Sequence, residues 1–471
     1  MDAFELQRKL STPSSKQHFL KIENTFIDIS NGLLLNDLDI DDEINVIQFI
    51  NCEFSGPELL FEKINNPKLE IFFRSCKFDC RLYFTGLAIK GLKFIQTIKL
   101  GDLLDIRSSK LEDLYFTGNK GINPEITGFM DISHNHINKA ISFEFLNHVG
   151  GEFLFENNRI NNFSASQEIQ YLTNFSDAKL HNASFSNSSF DQDVKFDRMK
   201  LSYDKFGSAR SFTECQFQSA YFNEVDFGER CFFNGSIFNK NALFIFCGNG
   251  LETLADFSGC RFFKDVYFNS TQFKSLTSKN SYFFGMCSFE ETKFKEIEFE
   301  RNIFEKAAFF DGIEISELDS CSRKTLRTIK QELQRTENRI DYNIFKAAEL
   351  NAYKKELKKN QWEEAFILWL NNLSSKHGLN WLRSSIFTLT IAMLSYIAYF
   401  ITENYSSEVS LNIDSINYFL IGYFKFLIPT YNPPFQNGLS LWFQYLPYII
   451  GKIFITYGIY QTIQAFRKFR L

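Results

Sequence analysis

The chain has 471 residues, 57 of which are phenylalanine. A single compact core rarely grows to this length, so we expect several domains or one elongated body. The formal net charge is only −5, which argues against a nucleic-acid partner because such a surface needs a basic excess.

The N-terminal sequence and the cysteines indicate a protein body that stays in the cytoplasm. The opening residues, MDAFELQRKLSTPSSKQHF, contain no apolar stretch of the kind found in signal peptides. Several of the nine cysteines precede a phenylalanine by two residues, as Cys215 precedes Phe217. This is the placement of a small apolar filler, so we expect reduced thiols that face an interior.

Residues 21–165 contain strand-like segments that recur at intervals of roughly 20–25 residues. Examples are INVIQFINCEF, LEDLYFTGNKGI and GEFLFENNRINNF, in which apolar alternation is followed by Asn or Gly. We interpret this region as irregular coils of a β-solenoid.

Residues 166–311 carry an aromatic or apolar residue at every fifth position. In extended backbone, residues two apart point the same way, so each unit sends one small and one large side chain inward. Such a unit must stack on copies of itself, and burying each phenylalanine contributes roughly 1.5–3 kcal/mol. The expected ladder residues are Phe212, Phe217, Phe222, Phe227 and Phe232, followed by Phe284, Phe289, Phe294, Phe299, Phe304 and Phe309.

Units such as FSDAKLHNASFSNSSF resemble pentapeptide repeats, with Phe replacing the usual Leu at most centres. The resemblance covers about residues 175–310 and implies a right-handed, four-sided β-helix. Residues 1–20 are then expected to cap the open end, and SASQEIQYLTN (164–174) to form an excursion from the coils. An ordinary β-sandwich would not hold a five-residue phase over so many units.

Residues 312–378 predict an α-helical neck. No Pro or Gly occurs from Arg323 to Lys359, and apolar residues fall at helical spacing. These residues are Leu326, Ile329, Leu333, Ile340, Ile344 and Ala348. QWEEAFILWLNNLSS predicts a second helix that stops near Gly378. The charges of the neck form either a solvated face or a contact with other copies of the chain.

Residues 379–471 predict an α-helical transmembrane domain. The apolar runs 381–401 and 441–466 are long enough to cross a hydrocarbon core of about 30 Å at about 1.5 Å per residue. The connector between them is mostly acidic, whereas basic residues lie at the other ends: Lys376, Arg383, Arg467, Lys468 and Arg470. By the positive-inside rule, both termini are therefore expected in the cytoplasm.

The connector predicts a re-entrant or interfacial helix over about residues 415–431. SINYFLIGYFKFLIPTYNPPF is apolar but too short to span before Pro429. Lys425, Pro429, Thr430 and Tyr431 mark its end, and the potassium-channel filter Thr-Val-Gly-Tyr-Gly is absent. Two spans around a re-entrant segment are the plan of channels with two helices per subunit.

The second run carries a polar residue at every fourth position, namely Gln444, Tyr448, Lys452, Thr456 and Tyr460. A charge near mid-membrane costs at least roughly 2.5–3.5 kcal/mol, so the row should face protein or water rather than lipid. We interpret it either as a pore lining or as a polar seam between helices with Lys452 reaching out to water. The first run adds a small polar face suited to close packing, formed by Thr388, Ala392, Ser395 and Tyr399.

The segments LSSKHGLNWLRS and YGIYQTIQAFRKF resemble the membrane ends of bacterial pentapeptide-repeat proteins with a two-helix, ion-channel-like C-terminus. The resemblance implies a homo-oligomeric channel-like or pore-forming protein of the bacterial inner membrane, tetrameric by analogy. Its cytoplasmic solenoid would bind a protein partner, and a role in stress response or phage defence fits this plan.

The alternatives are a membrane-anchored interaction scaffold without conductance and a DNA mimic, against which the near-neutral charge and the membrane anchor both argue. No phosphate-binding loop, nucleophile elbow or metal-ligand spacing occurs in the sequence. We therefore expect no enzyme, no cofactor and no metal site.

Overall fold

The structure is a computed structural model that divides into two units, Met1–Ser320 and Cys321–Leu471. It describes residues 1–11, 18–30, 33–36, 44–96, 99–117, 125–160, 173–203, 211–248, 250–403, 413–431 and 442–467, with side chains except at 33–36, 403 and 442–444. Residues 164–172 of the predicted excursion at 164–174 therefore lie outside the described residues.

The first unit begins with a helix and continues as strands. Helix α1 (Ala3–Ser11) buries Leu6 and Leu10, and the amino group of Met1 donates to the Phe26 carbonyl oxygen at 3.0 Å. The strands up to residue 160 are β1 (Phe19–Glu23), β2 (Phe26–Asp28), β3 (Leu33–Asn36), β4 (Val46–Ile50), β5 (Glu53–Glu62), β6 (Asn65–Arg74), β7 (Lys77–Thr85), β8 (Ala88–Ile95), β9 (Lys99–Leu100), β10 (Leu103–Arg107), β11 (Lys110–Thr117), β12 (Glu125–Ile126), β13 (Phe129–Ser133), β14 (His136–Ser142), β15 (Asn147–His148), β16 (Phe153–Leu154) and β17 (Arg159–Ile160).

The strands of the regular repeat region are shorter. They are β18 (Thr173–Asn174), β19 (Lys179–His181), β20 (Ala183–Ser184), β21 (Ser189–Phe190), β22 (Val194–Lys195), β23 (Lys200–Ser202), β24 (Gln216–Phe217), β25 (Ala220–Asn223), β26 (Arg230–Phe232), β27 (Ile237–Phe238), β28 (Ala242–Ile245), β29 (Leu254–Asp256), β30 (Arg261–Phe262), β31 (Val266–Tyr267), β32 (Gln272–Lys279), β33 (Tyr282–Phe283), β34 (Cys287–Ser288), β35 (Lys293–Glu300), β36 (Ile303–Phe304), β37 (Ala308–Phe309) and β38 (Glu314–Ile315).

Together these strands form a parallel β-solenoid of about 11 turns, in sheets of 20, 13 and 5 strands. Each strand pairs in parallel with the strand one coil later, as Phe273 pairs with Phe294. In the looser half the offset between coils is larger, and Val46 pairs with Glu70. The β-solenoid prediction is therefore confirmed.

Stacked phenylalanine rings fill the solenoid. One ladder has neighbouring ring centroids 4.5–5.2 Å apart. It consists of Phe49, Phe73, Phe94, Phe116, Phe143, Phe175, Phe196, Phe222, Phe244, Phe268, Phe289 and Phe310. Because this ladder crosses from the irregular coils into the regular ones, the two regions share one core.

The structure places most of the expected ladder residues in this core. Phe212, Phe217, Phe222, Phe227, Phe289, Phe294 and Phe299 are buried. Phe304 is half-buried, and its ring stacks on Phe283 with centroids 4.8 Å apart.

The five-residue phase is wrong at three positions. Phe233, Phe283 and Phe310 are buried, whereas their neighbours Phe232, Phe284 and Phe309 are more exposed. Phe233 follows Phe227 by six positions instead of five, and the chain turns between them at Gly228, which has φ of +65°. Each longer turn moves the inward position by one residue.

A ladder of small polar residues and cysteines follows one corner of the coils. Ser236 Oγ donates to the Phe212 carbonyl oxygen at 2.5 Å and accepts from the Cys215 N–H at 3.0 Å. The Cys215 thiol in turn donates to the Phe185 carbonyl oxygen at 2.9 Å. All nine cysteines are buried and none forms a disulfide bond. Five of them donate to a carbonyl oxygen of the preceding coil, namely Cys52, Cys76, Cys215, Cys247 and Cys260.

His148 is a buried imidazole inside the solenoid, with an exposed fraction of 2%. Its Nε2 donates to the Gly128 carbonyl oxygen at 2.9 Å, and its Nδ1 accepts from the His181 N–H at 3.3 Å. A proton on Nδ1 would therefore point at another donor. Burial, chiefly, lowers the pKa of His148 to about 4, so the ring is neutral in the folded protein.

We expect the solenoid to lose stability through His148 as the pH falls from about 6.5 to about 4. In this window the unfolded chain binds a proton on His148 and the folded chain does not, so acidification favours unfolding by roughly 2–4 kcal/mol. Below pH 4 both states are protonated and the loss ends. Urea unfolding across this range should show a smaller pH dependence in His148→Gln, and identical pH profiles for the two proteins would contradict the assignment.

The second unit contains helices α2 (Arg323–Arg335), α3 (Arg339–Glu356), α4 (Trp362–Ser375), α5 (Trp381–Glu403), α6 (Ile413–Leu427) and α7 (Trp442–Arg467). The continuous helix predicted from Arg323 is interrupted between α2 and α3. Glu337 adopts φ of +62°, and the Asn338 side chain caps α3 by accepting from the Asp341 N–H at 3.1 Å. After this turn the expected apolar face shifts, so Ile340 is 61% exposed and Ile344 is also exposed.

Glu349 joins the hairpin formed by α2 and α3. Its carboxylate accepts from Arg327 Nε at 3.0 Å and from Lys330 Nζ. Burial alone would raise the pKa of Glu349, but the hydrogen bonds from Lys330 and Arg327 outweigh it and lower the pKa below its usual value. The apolar face of α2 packs beside this ion pair through Leu326, Ile329 and Leu333, all buried.

Candidate functional site at the end of helix α6

Helices α5 and α7 run antiparallel and approach each other at two glycines. A Cβ atom on Gly458 would lie 2.1 Å from Thr388 Oγ1, and one on Gly451 would lie 2.8 Å from Ser395 Cβ. Only glycine permits such a close approach. The small polar face predicted on the first run therefore lies against α7, with Ala392 and Tyr399 buried beside it.

Hydrogen bonds join the same helices towards the end of α7. Ser384 Oγ donates to the Gly458 carbonyl oxygen at 3.2 Å, and Thr462 Oγ1 donates to Ser384 Oγ at 3.0 Å. Ser375, at the end of α4, donates to Gln461 Oε1 at 2.8 Å. The polar contacts of α7 thus include buried Gln461 and half-buried Thr462, neither of which belongs to the predicted row of polar residues at every fourth position.

Helix α6 packs across α5 around Tyr396. The rings of Phe419 and Phe426 lie 5.1 Å and 5.5 Å from the Tyr396 ring, and Tyr423 Oη donates to the Leu389 carbonyl oxygen at 3.1 Å. Gly422 makes room for this crossing, since a Cβ atom there would lie 1.9 Å from Tyr396 Oη.

The carboxyl end of α6 is bound by two side chains of α7. Lys452 Nζ donates to the carbonyl oxygens of Phe426 at 2.9 Å and Ile428 at 2.6 Å. Tyr448 Oη donates to the Tyr431 carbonyl oxygen at 3.0 Å. The last carbonyls of a helix have no partner within it and carry partial negative charge. The Lys452 ammonium supplies both a hydrogen-bond donor and a positive charge there.

Aromatic rings complete the environment of Lys452. Its Nζ lies 5.0 Å from the centroid of Phe426 and 5.5 Å from that of Tyr448. Ring faces attract cations, most strongly where water is scarce. Among the residues whose side chains are described, the contacts of this half-buried ammonium group are therefore carbonyl oxygens and ring faces.

The predicted polar row divides into two parts. Tyr448 and Lys452 contact the end of α6, whereas Thr456 is exposed and donates to the Lys452 carbonyl oxygen of its own helix at 2.8 Å. Tyr460 is also exposed. The side chain of Gln444 lies outside the part of the chain whose side chains are described.

The predicted residues of the re-entrant segment occupy the surface around this site. Lys425, Pro429 and Thr430 are exposed, and Tyr431 is half-buried. The backbone carbonyls of Phe426, Ile428 and Tyr431 accept hydrogen bonds from α7, so the segment contributes main-chain atoms. Sequence reasoning placed Lys452 in a polar row but could not identify these acceptors.

Large apolar side chains cover the outer faces of α5 and α7. They include Ile386, Leu389, Leu394, Ile397 and Ile401 on α5, and Ile449, Ile450, Ile453, Ile459 and Ile463 on α7. Among the described residues, Trp381–Thr402 is the one helical segment long and apolar enough to cross a membrane, and 22% of it is buried. Helix α7 has 26 residues, and its Gln, Tyr and Lys residues make it less apolar than α5, so the second predicted span stays a prediction.

No protein-family model, curated protein or solved structure matches this chain significantly. The resemblance to pentapeptide repeats is therefore carried by the repeat units alone.

Proposed function

We propose that this chain is a homo-oligomeric, ion-channel-like or pore-forming protein of the bacterial inner membrane. Helices α5 and α7 span the bilayer, α6 is the re-entrant helix, and the pentapeptide-repeat solenoid is a cytoplasmic domain that binds a protein partner. The observation that carries this proposal is the capture of the α6 carboxyl end by Lys452 and Tyr448.

The depth of that contact favours a re-entrant helix. Lys452 lies ten residues after Trp442, which is about 15 Å along α7 at about 1.5 Å per residue. A helix that ends at this depth would leave carbonyl groups in the hydrocarbon layer, at a cost of several kcal/mol each. Lys452 and Tyr448 remove that cost, and Lys452 gains the polar partners that a membrane lysine needs.

Exposed apolar faces support the membrane location. Many large apolar side chains are exposed on the outer faces of α5 and α7, and contiguous apolar surface of this kind marks a membrane or protein contact. The basic residues Arg383 and Arg467 lie near the start of α5 and the end of α7, which by the positive-inside rule supports our proposal of cytoplasmic termini. Two helices cannot enclose a pore, so several copies are required, and a tetramer is the arrangement suggested by analogy.

We expect the purified full-length oligomer to give single-channel currents in planar bilayers and Lys452→Met to suppress them. Loss of a charge-assisted hydrogen bond costs roughly 1.5–3 kcal/mol. At about 1.4 kcal/mol per tenfold, this lowers the equilibrium constant for docking of the α6 end on α7 roughly 10–150-fold. Lys452→Arg keeps donors and should retain current. Ile453→Val, an exposed neighbour, is the matched control.

A protein that is monomeric in detergent, or an oligomer that never conducts under any voltage or partner, would contradict the channel proposal. The second candidate, a membrane-anchored scaffold, would then hold. One observation favours it: the exposed rings of Phe263 and Phe284 stack 5.1 Å apart on successive coils, beside exposed Tyr282. Exposed aromatic groups of this kind suit protein contacts.

A further inference from the structure

A polar cavity of about 510 Å³ lies between the start of α3 and the end of α7. Three cationic side chains line it, from Arg339, Lys346 and Arg467, against one carboxylate, from Glu337. Tyr460, from the row of polar residues on α7, also lines it. The cavity therefore combines a net positive charge with a hydroxyl group that can donate.

The residues around the cavity are typical of a membrane surface. Trp381, at the start of α5, stacks on Phe466 with ring centroids 5.3 Å apart, next to Arg467. Tryptophan rings collect at the level of lipid headgroups because one end is apolar and the other polar. Gln464 lines the cavity and also lies beside Gly378. A Cβ atom on Gly378 would be 3.7 Å from the Gln464 side chain.

Helix α4, in the same helical unit, presents an exposed stripe of three aromatic residues and one leucine. Trp362, Phe366, Trp369 and Leu373 are all exposed, with Trp362 at 67%. Their spacing of four, three and four residues puts them on one helix face. The end of this helix is joined to α5 by Arg383 Nε, which donates to the Leu373 carbonyl oxygen at 2.9 Å. Such a face suits the boundary between headgroups and acyl chains.

We propose that this cavity binds a phosphate group, supplied by the headgroup of an anionic phospholipid or by free phosphate. Lys and Arg form strong charge-assisted hydrogen bonds to phosphate oxygens. The cavity volume lies within the range of about 300–1,000 Å³ typical of small-ligand sites, so it has room for a headgroup larger than phosphate alone. The lipid source rests on the proposed membrane location, whereas the phosphate site itself does not.

The test is ligand binding by the full-length protein in an uncharged detergent, measured by isothermal titration calorimetry. The probes are inorganic phosphate, short-chain phosphatidylglycerol and short-chain phosphatidylcholine. We expect one of the first two to bind, and Lys346→Gln with Arg467→Gln to weaken it by roughly tenfold or more. Lys359→Gln, an exposed lysine outside the cavity, should leave the affinity unchanged.

The probes separate the two sources. Stronger binding of phosphatidylglycerol than of phosphate identifies a lipid headgroup, and the reverse identifies free phosphate. Absence of binding by both, or binding that the double substitution leaves unchanged, overturns the site. Conductance is not part of this readout, so a protein that binds without conducting contradicts only the channel proposal, and one that conducts without binding contradicts only this site.

Discussion

Phe233→Ala should destabilise the solenoid by about 3–5 kcal/mol, as truncation of a fully buried phenylalanine does. The Phe233 ring lies between Phe212 and Phe257, at 4.8 Å from each. Its removal therefore opens a cavity in the ladder and breaks the stack on both sides. A coil interacts chiefly with its neighbours, so we expect the loss to be greatest in the coils on either side of residue 233.

The adjacent residue provides the matched control. Phe232 is half-buried and belongs to the outward face of its strand, so Phe232→Ala should cost about 1 kcal/mol or less. Hydrogen exchange resolved along the chain measures both variants and does not require all-or-none unfolding of a long solenoid. Equal losses in the two variants, or a larger loss in Phe232→Ala, would contradict the observed register.

The comparison between Phe232 and Phe233 shows how far the sequence predicts this fold. A five-residue recurrence of Phe was sufficient to predict stacking coils, because no helix or flat sheet places every fifth residue on one face. The phase could not be predicted through longer turns such as the one at Gly228. Corners also use left-handed backbone at residues with no strong preference for it, including Glu214 and Glu291, with φ of +56° and +55°. Stacking of neighbouring coils imposes that conformation.

The sequence predicted the important side chains of the candidate site but not the groups to which they donate hydrogen bonds. A charged residue among apolar ones marked Lys452 as functional, since lipid cannot solvate it. Its acceptors are main-chain carbonyls of residues 426 and 428, and any residue type supplies a carbonyl. The sequence therefore left the pore-lining and seam interpretations of this row open. In the structure, Tyr448 and Lys452 bond the end of α6, whereas Thr456 and Tyr460 are exposed.

The close contact between α5 and α7 did have a sequence signal, which lies in the spacing of small residues. Gly451 and Gly458 are seven residues apart on α7, and Thr388 and Ser395 are seven apart on α5. Because the helices are antiparallel and the two spacings are equal, Gly458 can contact Thr388 while Gly451 contacts Ser395. The row of polar residues at every fourth position drew attention to a different face of α7.

We expect Gly458→Leu to separate α5 from α7 and to destabilise the helical unit by about 3 kcal/mol or more. The new Cβ would lie 2.1 Å from Thr388 Oγ1 and 3.0 Å from Thr388 Cβ. Thr388 is β-branched and close to its own backbone, so it cannot move aside as the tip of a long side chain could. Separation of the helices would also break the bond from Ser384 Oγ to the Gly458 carbonyl oxygen.

Thermal unfolding of the detergent-solubilised protein measures this effect, with Ile459→Leu on the exposed side of the same turn as control. The steric cause has its own test in a double-mutant cycle. Gly458→Ala should be destabilising alone and less so when Thr388→Ala removes the hydroxyl that its Cβ would meet, so the two changes should couple favourably. If Gly458→Leu is tolerated as well as Ile459→Leu, α5 and α7 do not meet at Gly458. In that case α7 does not pack on α5 in the way that places Lys452 against the end of α6.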